Sequence, residues 1–281
     1  MTPDQQWADH DCMPIPPLIT SRQNQRVKDA ARLRAARGRQ QQQRFIIDGA
    51  REISRALDAG IHCVEAFVCQ PLCDSTAGQP LLEQLRSAGA ELLEVTPDVY
   101  TKLCFGDRED AGVVVVAQTP PRILADLQLP PLPLVAVIEG VEKPGNLGAI
   151  LRSADAAGLD AVIVADGRTD LFNPNVIRAS LGTVFRKSVV EAGSEETIAW
   201  LRSQQLRAFT ARPDAALAYT EVDFRSGAAI VLGSEAQGIS PTWTGADIVP
   251  IRLPMHGLAD SLNVSTTAAV LFYEALRQRG R

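Results

Sequence analysis

Three stretches of this 281-residue chain concentrate side chains suited to binding rather than packing. The first is Glu139-Gly140-Val141-Glu142-Lys143-Pro144-Gly145-Asn146-Leu147-Gly148-Ala149-Ile150-Leu151-Arg152-Ser153-Ala154, and the second is Leu232-Gly233-Ser234-Glu235-Ala236-Gln237-Gly238. The third runs Leu253-Pro254-Met255-His256-Gly257-Leu258-Ala259-Asp260-Ser261-Leu262-Asn263-Val264-Ser265. Each follows a strand-like apolar run, so each falls where the C-terminal edge of an α/β sheet offers its loops to a ligand. In the first, Leu147, Ile150, Leu151 and Ala154 form an apolar helical stripe that leaves Arg152 off it. In the third, Pro254 and Gly257 interrupt regular structure, and Asp260 or Ser261 is available to cap a closing helix.

Familiar chemistries fail on spacing. Gly140 and Gly145 match the outer glycines of a phosphate loop, but Asn146-Leu147 stands where Lys-Ser/Thr is required. No G-x-G-x-x-G follows the first strand of this half, which argues against a dinucleotide fold. Ser234 lies outside a five-residue nucleophile elbow, and His256 has no evident carboxylate to orient it. Metal catalysis has little support either: His10, His62 and His256 are scattered, and Cys12, Cys63, Cys69, Cys73 and Cys104 contain no C-x-x-C pair. The thiols read as reduced and mostly buried.

An apolar fraction of 46% with 22% charged residues predicts a packed core. No apolar run approaches the length of a bilayer span, and Met1–Gln6 lacks the features of a signal peptide, so a cytoplasmic protein without a membrane partner is expected. The net charge of −5 hides an asymmetry. Arg22, Arg26, Lys28, Arg32, Arg34, Arg37, Arg39 and Arg44 crowd one segment against a single acid, Asp29. Such a block predicts a polyanion-facing element on an acidic body, with a solvated helix face as the competing reading.

The elements that must position these residues alternate. Residues 1–20 are Pro-rich and polar and are expected to be loosely ordered. A helix is predicted from Ser21 to Gly38, followed by a low-complexity tract at 39–44. Strands are predicted at 44–49, 64–69, 91–95 and 113–117, with helices at 50–59, 81–88 and 97–103, giving a small α/β domain over 21–118. The prolines within 119–133 mark a linker. From 134 to 281 the alternation restarts, with strands at 134–139, 161–165, 185–190, 206–210, 228–232 and 248–253. Helices fall at 147–157, 175–181, 195–203 and 264–279, a pattern that points to a parallel sheet covered on both faces.

The three stretches resemble the signature motifs of the SPOUT-class TrmH (SpoU) family of RNA 2′-O-methyltransferases. Gly145 to Ala154 is similar to the first motif, Gly233-Ser234-Glu235 with Gly238 to the second, and Pro254-Met255 through Ser261-Leu262-Asn263-Val264-Ser265 to the third. The first domain resembles, less sharply, the ribosomal-protein-like substrate-binding domain of ribosomal RNA members such as the thiostrepton- and avilamycin-resistance methyltransferases. The resemblance implies an S-adenosyl-L-methionine-dependent enzyme with a deep trefoil knot, working on RNA as a homodimer with sites at the interface. It implies cofactor contacts at Thr210, Ala211, Leu232, Gly233, Ser234, Gly238, Ile251, Leu253, Met255 and Leu262. By motif position Arg152 is the catalytic arginine, with Asn146, Glu235, Ser261 and Asn263 orienting it and the ribose. An arginine stays protonated, so Arg152 is expected to stabilise a developing alkoxide rather than act as a base. Arg22, Arg26, Lys28, Arg32, Arg34, Arg37 and Arg39 then become candidate RNA contacts. The added N-terminal domain favours ribosomal RNA over transfer RNA; a non-catalytic RNA-binding protein of the same fold is the further alternative. The chain departs from the family at Arg186-Lys187-Ser188-Val189, where Leu-Pro-Val is common.

Overall fold

The computed structural model describes residues 18–73, 78–105 and 112–280, so Cys12, Arg281 and nearly all of the expected loose N-terminus lie outside the described residues. The chain begins with helices α1 (Gln25–Arg32) and α2 (Ala36–Gln42). Strands β1 (Arg44–Asp48), β2 (Cys63–Val68), β3 (Glu91–Glu94) and β4 (Val113–Gln118) follow, interleaved with α3 (Ala50–Asp58), α4 (Gln70–Cys73), α5 (Gly78–Ser87) and α6 (Pro97–Leu103). They form a four-stranded sheet of order β1-β4-β2-β3 in which only β2 and β3 run parallel. One face packs on α1 and α6 through Ile46, Phe67, Val114 and Val116.

The predicted single helix at 21–38 is two helices. Asn24 caps α1 by accepting from the Arg26 N–H at 2.9 Å, and the turn after Arg32 folds α2 back so closely that a Cβ on Gly38 would lie 2.1 Å from the Arg32 carbonyl oxygen. The glutamine tract is therefore helical, although it offers no apolar periodicity to predict it.

The second half contains β5 (Leu134–Glu139), α7 (Pro144–Ala156), β6 (Ala161–Ala165), α8 (Pro174–Ala179), β7 (Val189–Ala192), α9 (Ser194–Ser203) and β8 (Arg207–Ala211). Then come β9 (Leu217–Ala218), β10 (Ala228–Leu232), β11 (Ile248–Arg252) and α10 (Val264–Gln278). The seven strands are all parallel, in the order β7-β6-β5-β10-β8-β11-β9. Strands β5, β6 and β10 are buried along their whole length, as a sheet covered on both faces requires. Leu134, Ala136, Ile138 and Ile230 face α7, α8 and α10, while Val135, Val137 and Val231 face α9 and Trp243. The strand predicted at 185–190 is instead a 3-10 turn, Thr183–Phe185, with β7 starting at Val189. Leu181 and Gly182 turn there with φ of 55° and 83°, which breaks the extended run.

The two halves share one apolar core. Phe45 of β1 stacks on Phe172 with ring centroids 4.5 Å apart and on Phe185 at 6.0 Å. Beside them Arg39, only 5% exposed, donates to both oxygens of Asp170 (3.0 and 2.6 Å) and to the carbonyls of Leu33 (2.8 Å) and Arg34 (2.9 Å). Arg39 is thus a clasp between the halves, and its guanidinium is not presented to solvent as a phosphate contact would need. No helix among the described residues is long and apolar enough to cross a membrane.

Removing Arg39 strands the Asp170 carboxylate and two carbonyls. Arg39→Ala should lower unfolding free energy by about 2–3 kcal/mol, whereas the exposed, unpaired Arg37→Ala should change it by less than about 0.5 kcal/mol. Equal urea midpoints for the two variants would contradict the clasp.

Candidate active site

Strand order reverses between β5 and β10: the chain builds outward from β5 through β6 to β7 on one side, and β10, β8 and β11 lie on the other. The C-terminal ends of these strands converge where α/β sheets bind ligands. Glu139, the last residue of β5, is 6% exposed, and its carboxylate accepts four hydrogen bonds. They come from Ser194 Oγ (2.7 Å), Ser240 Oγ (2.7 Å), the Ser240 N–H (2.8 Å) and Trp243 Nε1 (2.9 Å). The start of α9 and the chain after β10 are thereby pinned to β5.

That pinned chain is the Gly233–Gly238 loop. The Ser234 and Gly238 main chains exchange hydrogen bonds at 3.0 Å each, and Ser234 Oγ accepts from the Gln237 N–H at 3.1 Å. A Cβ on Gly233 would lie 2.2 Å from the Gly238 carbonyl carbon, so no other residue fits there. Facing the loop, residues 253–262 make no backbone–backbone hydrogen bonds, which leaves their N–H and C=O groups available to a ligand.

Between the two lies a cleft of about 460 Å³. Of the expected cofactor contacts, Ala211, Leu232, Gly233, Ser234, Gly238, Ile251, Leu253, Met255 and Leu262 all line it. Thr210 does not reach the lining; it is fully buried on β8, and its Oγ1 has no hydrogen-bond partner. Of the expected catalytic residues, Glu235, Ser261 and Asn263 line the cleft. Asn146, at the start of α7, joins them by donating to Glu235 Oε1 and accepting from Asn263 Nδ2 at 3.3 Å. One side chain from each of the three stretches therefore enters a single hydrogen-bonded chain.

Capping is assigned differently from expectation. Asn263, rather than Asp260 or Ser261, caps α10 by accepting from the Ser265 N–H at 2.9 Å. Asn146 caps nothing: Lys143 holds the N-cap position of α7. Arg152 stands off the apolar stripe, exposed, and makes no hydrogen bond or ion pair among the described residues. It is therefore not hydrogen-bonded to Asn146, Glu235 or Asn263.

The basic N-terminal segment is largely occupied. Arg26 pairs with Glu91 and Glu65, which push its pKa further up, and the same pair holds the Glu91 carboxyl below the usual carboxylate range. Arg22 pairs with Asp98 and Arg32 with Asp29, while Arg34 donates to the Lys102 and Cys104 carbonyls and stacks 4.7 Å from the Phe105 ring centroid. Lys28 and Arg37 have no side-chain partner among the described residues.

Among the described residues no group of His, Cys, Asp and Glu could hold a metal ion. Cys63, Cys69, Cys73 and Cys104 are buried, and burial pushes the Cys63 and Cys104 thiols up to about 11. Lys143, Arg212 and Asp260 also line the cleft; Arg212 lay outside the quoted stretches, Asp260 was read only as a helix cap, and Lys143 was given no role. The residue given no role although it opens the first stretch is Glu139. Its signal was a lone carboxylate closing the strand Leu-Val-Ala-Val-Ile-Glu, where burial demands partners.

Glu139→Gln keeps the size but replaces one acceptor oxygen by an NH2 donor, which would face either the Ser240 N–H or Trp243 Nε1–H, donors that cannot reverse. It should cost about 2 kcal/mol of stability and raise amide hydrogen exchange across residues 233–240. Unchanged protection in that segment would contradict the pinning.

Comparison with known proteins agrees with this geometry. A model of the SpoU rRNA Methylase family matches residues 133–273, and one of the MRM3-like substrate binding domain matches residues 24–112. The chain is 29% identical over 262 residues to 23S rRNA (guanosine(2553)-2′-O)-methyltransferase RlmP of Bacillus subtilis (strain 168), covering 91% of this chain and 97% of the relative. A crystal structure of an RNA 2′-O ribose methyltransferase superposes with a TM-score of 0.78 at 43% identity, over 94% of this chain and 100% of that one. The SpoU methyltransferase AviRb from Streptomyces viridochromogenes, in complex with the cofactor AdoMet, superposes with a TM-score of 0.82 at 26% identity, over 91% and 98%. A parallel sheet with its loops gathered at the reversal point, and family matches spanning both halves, lead to one conclusion: the chain belongs to the SpoU rRNA methylase family.

Proposed function

We propose that this protein methylates the ribose 2′-hydroxyl of a nucleotide in large-subunit ribosomal RNA, using S-adenosyl-L-methionine. The observation that carries this reading is the Asn263–Asn146–Glu235 chain at the mouth of the cleft lined by Gly233, Leu253 and Leu262. The residues present suit the cofactor. The unpaired main chain of 253–262 and the Gly233 backbone supply donors and acceptors for an adenosine, Leu232, Ile251 and Leu262 supply apolar walls, and Thr210 Oγ1 is a buried polar atom in want of a partner. When bound, S-adenosyl-L-methionine supplies a methyl group activated by its sulfonium.

The protein's own part is positioning and charge. Asn146, Glu235, Ser261 and Asn263 orient the ribose for in-line attack, which holds the reacting atoms within a few ångströms and lowers the entropic barrier. The Arg152 guanidinium stays protonated and stabilises negative charge growing on the ribose oxygen. Because Arg152 does not line the cleft and makes no hydrogen bond or ion pair with its residues, we take the site to be completed across a homodimer. The exposed Tyr273 on α10 and the exposed Leu258 and Leu262 offer apolar surface for a second copy. Residues 21–118 are taken to bind RNA, with Lys28 and Arg37 as the cations of the 22–39 segment that have no side-chain partner among the described residues, residues 119–133 to link the halves, and residues 134–281 to carry the chemistry. The segment after β11 is taken to thread a preceding loop as a trefoil knot. In support, β10 enters between β5 and β8, the chain returns beyond β8 as β11, and α10 packs back on α7.

Incubation with tritiated S-adenosyl-L-methionine and ribosomal RNA, followed by alkaline hydrolysis, should leave label in alkali-resistant dinucleotides. Label in mononucleotides would exclude ribose methylation. Arg152→Ala should leave folding intact and lower turnover by about 10²–10³-fold; full activity would assign the charge stabilisation to another group.

A further inference from the structure

We propose that the groove between the two halves binds the phosphodiester backbone of the RNA strand flanking the modified nucleotide. This rests on the RNA-methylating function proposed above. The groove has a volume of about 710 Å³ and runs between the end of α3 and the 182–188 turn. Its cations come from both halves: Arg55 from α3, and Arg186 and Lys187 from the turn before β7. Asp58 and Asp155 are the acids that line it.

The side chains are disposed unequally. Asp155 is paired with Arg186 at 2.7 Å, so these two nearly cancel. Arg55 spends one donor on the Leu181 carbonyl at 2.6 Å, which spans the two halves and leaves the rest of its donor fork free. Lys187 is exposed and makes no hydrogen bond or ion pair among the described residues. Its loop is nonetheless fixed from behind, because Arg122 of the linker donates to the Phe185 (2.7 Å) and Arg186 (2.8 Å) carbonyls. A braced loop that presents an uncommitted ammonium suits a polyanion, which needs no base-specific geometry.

The groove also lies beside Arg152. Asp155 lies one turn beyond Arg152 on α7, so the two share a helix face about 4.5 Å apart along the axis. A strand whose ribose reaches Arg152 passes its neighbouring phosphates into the groove. The N-terminal segment, whose cations are mostly tied to Asp98, Glu91, Asp29 and Asp170, offers fewer free charges than the sequence suggests.

The test is equilibrium binding of the full chain to transcribed large-subunit ribosomal RNA, across a salt series, for wild type, Lys187→Ala, Asp58→Asn and Arg207→Ala. Lys187 makes no bond whose loss would unfold the protein, and Arg207 is a cation outside the groove. Lys187→Ala should raise Kd about fivefold near 0.15 M salt and reduce the salt slope by about 1. Asp58→Asn should lower Kd, Arg207→Ala should match wild type, and all four should bind S-adenosyl-L-methionine equally. Equal RNA affinity and slope for all four proteins, with methylation intact, would overturn the groove alone. A wild type that neither binds nor methylates the RNA would overturn the proposed function and the groove with it.

Discussion

A carboxylate buried to 6% exposure is costly unless every lone pair facing the interior is met, and Glu139 meets that cost with four donors from three residues in two separate segments. Those donors lie 55 to 104 residues away along the chain, so satisfying one charge fixes where distant pieces of backbone end. The charge-assisted bonds hold the start of α9, the turn at Ser240 and the Trp243 indole to the tip of β5. The Gly233–Gly238 loop hangs between β10 and that anchor, and its shape depends on both.

From this constraint the rest of the cleft follows. With one wall set by β10 and the Glu139 anchor, the other wall is the 253–262 segment, which makes no backbone–backbone hydrogen bonds of its own. A wall of main-chain groups with no backbone partner leaves donors and acceptors open to a nucleoside. The Asn263–Asn146–Glu235 chain then ties the cap of α10, the first turn of α7 and the Gly233 loop into one unit, so the polar edge is preorganised rather than assembled by the ligand.

How much of this could be read from the chain depends on the kind of signal. Wholly apolar runs fixed β5, β6 and β10 to the residue, because a strand buried on both faces has only one way to read. Helical residues 39–42 were missed because Arg-Gln-Gln-Gln carries no apolar period, and the run at 185–190 misled at its start because Phe185 serves an aromatic contact from a 3-10 turn, only Val189 and Val190 entering the ladder. The family resemblance named most of the cleft lining, but it could not show that Arg39 is buried against Asp170 or that Arg26 faces two glutamates. Charge density along a sequence does not reveal which cations already have partners; long-range ion pairs decide that, and only the fold displays them.

The shared core of the two halves has a functional side. Phe45, Phe172 and Phe185 stack across the junction, and Arg39 and Arg55 bridge it, so the N-terminal half is set against the catalytic half instead of hanging from a linker. The most direct measurement of the central claim is a crystal structure with bound S-adenosyl-L-methionine. The expected result is ligand density against the main chain of Gly233, Leu253 and Leu262. Density elsewhere on the chain, with that cleft unfilled at saturating ligand, would contradict it.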